Sequence, residues 1–240
     1  MRYLTRNKIY EKVEAKIEAK KIYIFCEGEE TEIKYFKYFQ GLSSNIDIIP
    51  IPNNNGQSDP VKLKNNAIIL FFGDEHEGIL PQYELSKEYK DEVWFVIDTD
   101  RWNEGNKIEL LKIFCNSQDK THNLWNVVQS NPCFELWFYY HFNDNKPDEN
   151  IVKNFNSFKE FINNQIKGGF DCRSMPIELK LAIDNSIKNF EIANDQPNLF
   201  STEVHSLGEV IISFVGSQLD KAREMMQNPD RAEMFSVPAK

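Results

Sequence analysis

Apolar and polar positions alternate between two regimes, short β-rich runs and longer stretches of helical spacing, and the alternation repeats from the first third of the chain. KIYIFC (Lys21 to Cys26) is a short apolar run, followed by the acidic turn CEGEETE and an aromatic helix, TEIKYFKYFQGL, with Thr31 as its expected N-cap. IDIIPIP reads as a second strand. A polar loop, NNNGQ, then leads into SDPVKLKNNAIILFF, where Ser58 and Pro60 suit a helix start. Residues 73 to 92 are charged and irregular, with a short helix expected around ELSKEYKD. VWFVI (Val93 to Ile97) is unbroken apolar sequence, as expected of a central parallel strand covered on both faces. A helix around KIELLKIFC, a strand LWNVVQ, a turn at Ser130, Asn131 and Pro132, and an aromatic helix CFELWFYYHF complete a doubly wound pattern. Beyond Asn143 the spacing predicts helices over 148–166, 176–194 and 203–227, and residues 8–20 also have helical spacing.

This reads as an α/β protein with a mostly parallel, Rossmann-like sheet flanked by helices and a helical C-terminal extension. Three parts are expected: a basic N-terminal helix or arm at 1–20, an α/β core at 21–145, and a helical part at 146–240 packed on that core. No internal repeat is present. With 240 residues the chain is long enough for an ample core, and 41% hydrophobic content is that of an ordered globular protein. The first twenty residues lack a secretory pattern and no later run approaches membrane-spanning length, so a cytoplasmic address without membrane association is expected. Cys26, Cys115, Cys133 and Cys172 form no CxxC pair, which excludes a zinc knuckle and reads as reduced core thiols. A net charge of −9 argues against a large phosphate-binding surface, although the first twenty-one residues are locally basic.

The candidate chemistry is acidic. Two strands run directly into carboxylates, Glu27 after KIYIFC and Asp98 and Asp100 after VWFVI. In an open parallel sheet, ligands bind at the carboxyl ends of the strands, so these acids fall at the edge where a site belongs. If the strand stays extended through Thr99, Asp98 and Asp100 point to the same side. Unpaired carboxylates gathered this closely repel one another, and a divalent cation relieves them. Oxygen ligands without a Cys/His set favour Mg²⁺ or Mn²⁺, and such ions are commonly completed by a substrate phosphate. Gly28, lacking a Cβ, lets the chain turn sharply and lets a phosphate approach the backbone. The alternative is that these acids are ordinary turn and cap residues.

Together, CEGEETE after the first strand, DTD after a later one, and SNPCFELWFYYHF after the next resemble the RloB family, with a weaker likeness in NLFSTEVHSLGEVI and SDPVKL. The resemblance implies a TOPRIM-type fold and a role in bacterial defence or abortive infection, often beside an ABC-type ATPase. It implies Glu27 as metal ligand or general acid/base, Asp98 and Asp100 as metal ligands, Glu32 as an additional acid, and Asn131 and Glu135 as a third patch near the same edge. RWNEGN after DTD departs from the pattern of many TOPRIM proteins. The expected activity is metal-dependent hydrolysis of DNA or RNA phosphodiesters, with Lys153, Lys180 and Lys188 as candidate transition-state cations. Two other readings remain: a non-catalytic TOPRIM-fold module docking on an ATPase or nucleic acid, and a nucleotide-sugar transferase using Asp-x-Asp. His76 reads as a solvated loop residue, and Trp137 to Phe142 as core.

Overall fold

The computed structural model describes residues 12–53, 59–99, 106–118 and 124–227. Four parallel strands, β1 (Lys20–Cys26), β2 (Ile46–Ile51), β3 (Glu92–Asp98) and β4 (Trp125–Asn131), lie in the order β2-β1-β3-β4. A two-residue strand, β7 (Ser201–Thr202), closes the β4 edge antiparallel. Between the strands run α1 (Thr31–Lys37), α2 (Pro60–Phe72) and α3 (Lys107–Gln118). After β4 come α4 (Glu135–Tyr140), α5 (Glu149–Val152), α6 (Phe158–Gln165), α7 (Leu179–Lys188), a small β5/β6 hairpin (Ile192–Ala193 with Gln196–Pro197), and α8 (Val204–Gln227). The expected α/β class with a mostly parallel sheet is thus the observed one.

Strand parity builds the layers. Successive side chains point to opposite faces of a strand. Ile22, Ile24 and Cys26 of β1, with Trp94 and Val96 of β3, therefore join a cluster with α1, α4, α6, α7 and α8. Tyr23 and Phe25, with Val93, Phe95 and Ile97, join the opposite cluster with α2 and α3. Both faces are covered, which is why β3 carries an unbroken apolar run. The aromatic stripe from Trp137 to His141 is core, and only Phe142 at its end is exposed.

Several expectations fail locally. Residues 12–19, the described part of the helix expected over 8–20, are irregular; Val13 N donates to Gly41 O (3.0 Å) and Lys16 N to Ser44 O (2.9 Å), so the segment is held by its neighbour and not by helical bonding. No helix forms at 84–91, where Asp91 accepts hydrogen bonds from Ser86 N (2.9 Å) and Lys21 N (2.8 Å) and Lys90 has a positive φ of 55°. The helix expected over 148–166 is two, because Asp148 and Ser157 each cap their own start, accepting from Asn150 N and Glu160 N. Thr31 is the first residue of α1 and Glu30 occupies its N-cap position. Asp59 caps α2, with Pro60 at the first helical position as anticipated, and Ser58 lies outside the described residues.

Candidate functional site

β1 is the point at which the sheet changes direction: the chain moves from β1 to β2 on one side, then returns to β3 on the other. The crevice beyond the carboxyl ends of β1 and β3 is where such a sheet binds ligands. Glu27 and Asp98 stand at those two ends. Glu27 N continues the strand pairing, donating to Val96 O at 3.1 Å, while Glu27 Oε2 accepts from Asp98 N at 2.9 Å. The Asn53 amide donates to Glu27 O at 3.2 Å from the end of β2, so three strand ends are tied together at this residue.

Parity turns Asp98 toward the α1/α4 face, where its Oδ1 accepts from Phe134 N at 2.8 Å. That bond fixes the start of α4, whose first residue is Glu135. Glu32, one residue into α1, folds back so that Oε1 accepts from Gly28 N at 3.1 Å. A Cβ built on Gly28 would lie 2.1 Å from Glu32 Oε2. The space expected to admit a phosphate is therefore filled by a carboxylate of the same turn, and this is the observed reason for glycine there.

The result is a cavity of about 230 Å³ lined by Glu27, Gly28, Glu29, Glu30, Thr31, Glu32, Asp98, Glu135 and Lys159. Glu30 pairs with Lys34 on the surface, so the inward acids are Glu27, Glu32, Asp98 and Glu135, each of the three glutamates at least nine-tenths buried. Burial, then the charges of Glu27, Glu32 and Glu135, hold the Asp98 carboxyl well above the usual carboxylate range. Burial and Glu135 also raise Glu32. Lys159 Nζ lies 2.9 Å from Glu135 Oε1, and that hydrogen bond is the main cause raising the lysine. The Cys133 thiol, bonded to Glu135, is pushed up by burial and by Glu135 and Asp98. Single ligand atoms of Asp98, Cys133 and Glu135 lie within 4.8 Å of one another.

Of the residues anticipated from sequence, Glu27, Gly28, Glu32, Asp98 and Glu135 come together. Asn131 does not: its amide donates to Pro197 O at 2.9 Å, on the β6 side of β4. Asp100 lies outside the described residues, and with it the Asp-x-Asp pairing. Lys153, Lys180 and Lys188 pair with Glu149, Asp184 and Asp144 on the surface, away from the cavity. The ring nitrogens of buried His141 face Trp137 O (2.9 Å) and the Tyr35 hydroxyl (3.2 Å). Lys159 and Cys133 are what sequence reasoning missed. Cys133 adjoins the SNPCFE segment and was within reach of a motif reading; Lys159 opens a helix with no local mark of a site.

The model of the RloB-like protein family matches residues 22–211, taking in most of β1, all of β2, β3 and β4, the acidic cavity and the start of α8. The chain belongs to the RloB-like family. No match is found among curated proteins or among solved structures. The RloB-like match also spans the NLFSTEVHSLGEVI segment, which closes the sheet: Glu203 N donates to Gln129 O and Glu203 Oε2 accepts from Gln129 N. Among the described residues no helix is long and apolar enough to cross a membrane.

Proposed function

We propose that this RloB-like protein is a cation-dependent, TOPRIM-type nuclease that hydrolyses DNA or RNA phosphodiesters, acting in bacterial defence beside an ABC-type ATPase. The observation that carries the reading is the meeting of Glu27 and Asp98 at the sheet's switch point with Glu32 and Glu135 around one cavity. The donor set fits a hard divalent ion: buried carboxylate oxygens dominate, and the ionised form of Asp98 is opposed by three like charges that a cation would relieve. Glu27, Glu32, Asp98 and Glu135 would hold Mg²⁺ or Mn²⁺, with Asp100 as the further ligand suggested by sequence. When bound, the ion supplies Lewis-acid polarisation of a phosphoryl oxygen.

The chain's own residues supply the rest. Glu27, its Oε2 steadied by the Asp98 N–H, takes a proton from the attacking water as the new P–O bond forms; the departing oxygen takes a proton from solvent water as the old P–O bond breaks, and Glu27 then releases its own proton to solvent. Asp98, bonded to Phe134 N, keeps the start of α4 and therefore Glu135 in register with the strand ends. The test is cleavage of single- and double-stranded DNA and RNA with Mg²⁺ or Mn²⁺, with the partner ATPase present. Glu27→Gln and Asp98→Asn are expected to lose activity by about 100-fold or more. Failure of the wild type to cut any of these, or undiminished cutting by Asp98→Asn, sinks the proposal. The net charge of −9 favours the rival reading of a non-catalytic docking module, under which Glu27→Ala and Asp98→Ala leave defence intact.

A further inference from the structure

Among the described residues lining the acidic cavity there is one cation, and it comes from a helix that the strand ends do not reach. Lys159 is the second residue of α6. The start of that helix is held by reciprocal capping, with Glu160 N donating to Ser157 Oγ at 3.1 Å and Asn156 N to Glu160 Oε2 at 3.0 Å. Phe158 stacks on Phe200, with ring centroids 5.6 Å apart, and Phe161 lies against Tyr139 of α4. The root of the lysine is therefore fixed relative to α4, while its end rides on a flexible stem.

The pair that Lys159 makes is lopsided. Its side chain is 68% exposed, whereas that of Glu135 is 11% exposed. A buried carboxylate needs a counter-charge to stay ionised; an exposed ammonium is well solvated without one. When a second cation arrives, the lysine can leave at little cost and the glutamate cannot.

Resting on the metal reading given above, we infer that Lys159 is an exchangeable counter-ion of the cavity: it neutralises Glu135 when no divalent cation is bound, competes with that cation for the Glu135 carboxylate, and is displaced when the site is loaded. A merely structural ion pair, holding α6 against α4, makes no such prediction for cation affinity.

The experiment is titration of the full-length protein with Mn²⁺, following the free-ion electron paramagnetic resonance signal, for wild type, Lys159→Met, Lys159→Arg, Asp98→Asn, Glu135→Gln and the Lys159→Met/Glu135→Gln double variant. Lys159→Met is expected to bind Mn²⁺ about two- to fivefold more tightly than wild type, the range set by an exposed ion pair. Lys159→Arg should match wild type. In the Glu135→Gln background, Lys159→Met should lose its effect, because the shared carboxylate is gone. Circular dichroism of each variant establishes that it is folded, and the arginine and double variants supply the comparison should Lys159→Met fail to fold. Equal or weaker binding by folded Lys159→Met, or an equal gain in the Glu135→Gln background, overturns the inference. If wild type binds Mn²⁺, Asp98→Asn does not, and Lys159→Met equals wild type, the lysine inference alone falls. If wild type and Asp98→Asn bind alike, or neither binds, the metal reading falls and this inference with it.

Discussion

His141 is wholly buried, and burial pushes its pKa from 6.5 down to about 3. The ring is neutral, with Nδ1 against Trp137 O and Nε2 against the Tyr35 hydroxyl. Between pH 6.5 and 3 the unfolded chain takes up a proton there that the folded chain refuses, so stability is full above 6.5 and falls as the solution is acidified. Between pH 7 and pH 5 this one residue is expected to cost about 2 kcal/mol. Urea denaturation at both pH values should show wild type losing about 2 kcal/mol more than His141→Gln, which cannot titrate. Equal losses would mean that the ring is not held neutral. Gly28 teaches a related lesson: its φ is not among the positive ones, and what requires glycine is the Glu32 carboxylate packed over it.

Secondary structure around the site is positioned by its caps. Asp59 accepts from Val61 N at 2.8 Å at the start of α2 and pairs with Lys107 at the start of α3, so one carboxylate sets two helix starts beside the strand ends. Asp59→Ala should destabilise the protein by about 1–2 kcal/mol, and Asp59→Asn, which keeps a capping oxygen, by less; chemical denaturation measures both. At the other end of the chain, Gly208 of α8 lets that helix approach α7 closely, since a Cβ there would lie 3.0 Å from Ile183 Cγ1 and 3.4 Å from the Trp137 ring. The Trp137 and Ile183 side chains thereby join α4, α7 and α8 into one packed unit.

That packing makes the C-terminal half part of the fold supporting the cavity. Val204, Leu207, Ile211, Val215 and Leu219 of α8 are buried in the same cluster as Ile22 and Ile24 of β1. A chain ending at residue 203 would uncover Trp137, whose ring lies beside Gly208, together with the part of the cluster that α8 completes. Such a chain is expected to fail to fold cooperatively, whereas the full chain is expected to unfold in a single calorimetric transition with matching calorimetric and van't Hoff enthalpies. A folded, cooperative truncated chain would show that α8 is dispensable.

The identity of the parallel strands, burial on both sheet faces and the acids at strand ends were all legible in the linear chain, because an unbroken apolar run and a terminal carboxylate are local facts about KIYIFCE and VWFVID. Local competition decided the misreadings. Asp148 and Ser157 each offered a cap inside what reads as one helical stretch, and Asp91 drew residues 86 to 91 into a turn. The meeting of Glu27 with Asp98, the diversion of Asn131 to Pro197, and the arrival of Lys159 beside Glu135 depend on which strands neighbour one another and where α6 packs. Those are long-range contacts, selected by burying one continuous apolar cluster, and no spacing along the chain encodes them.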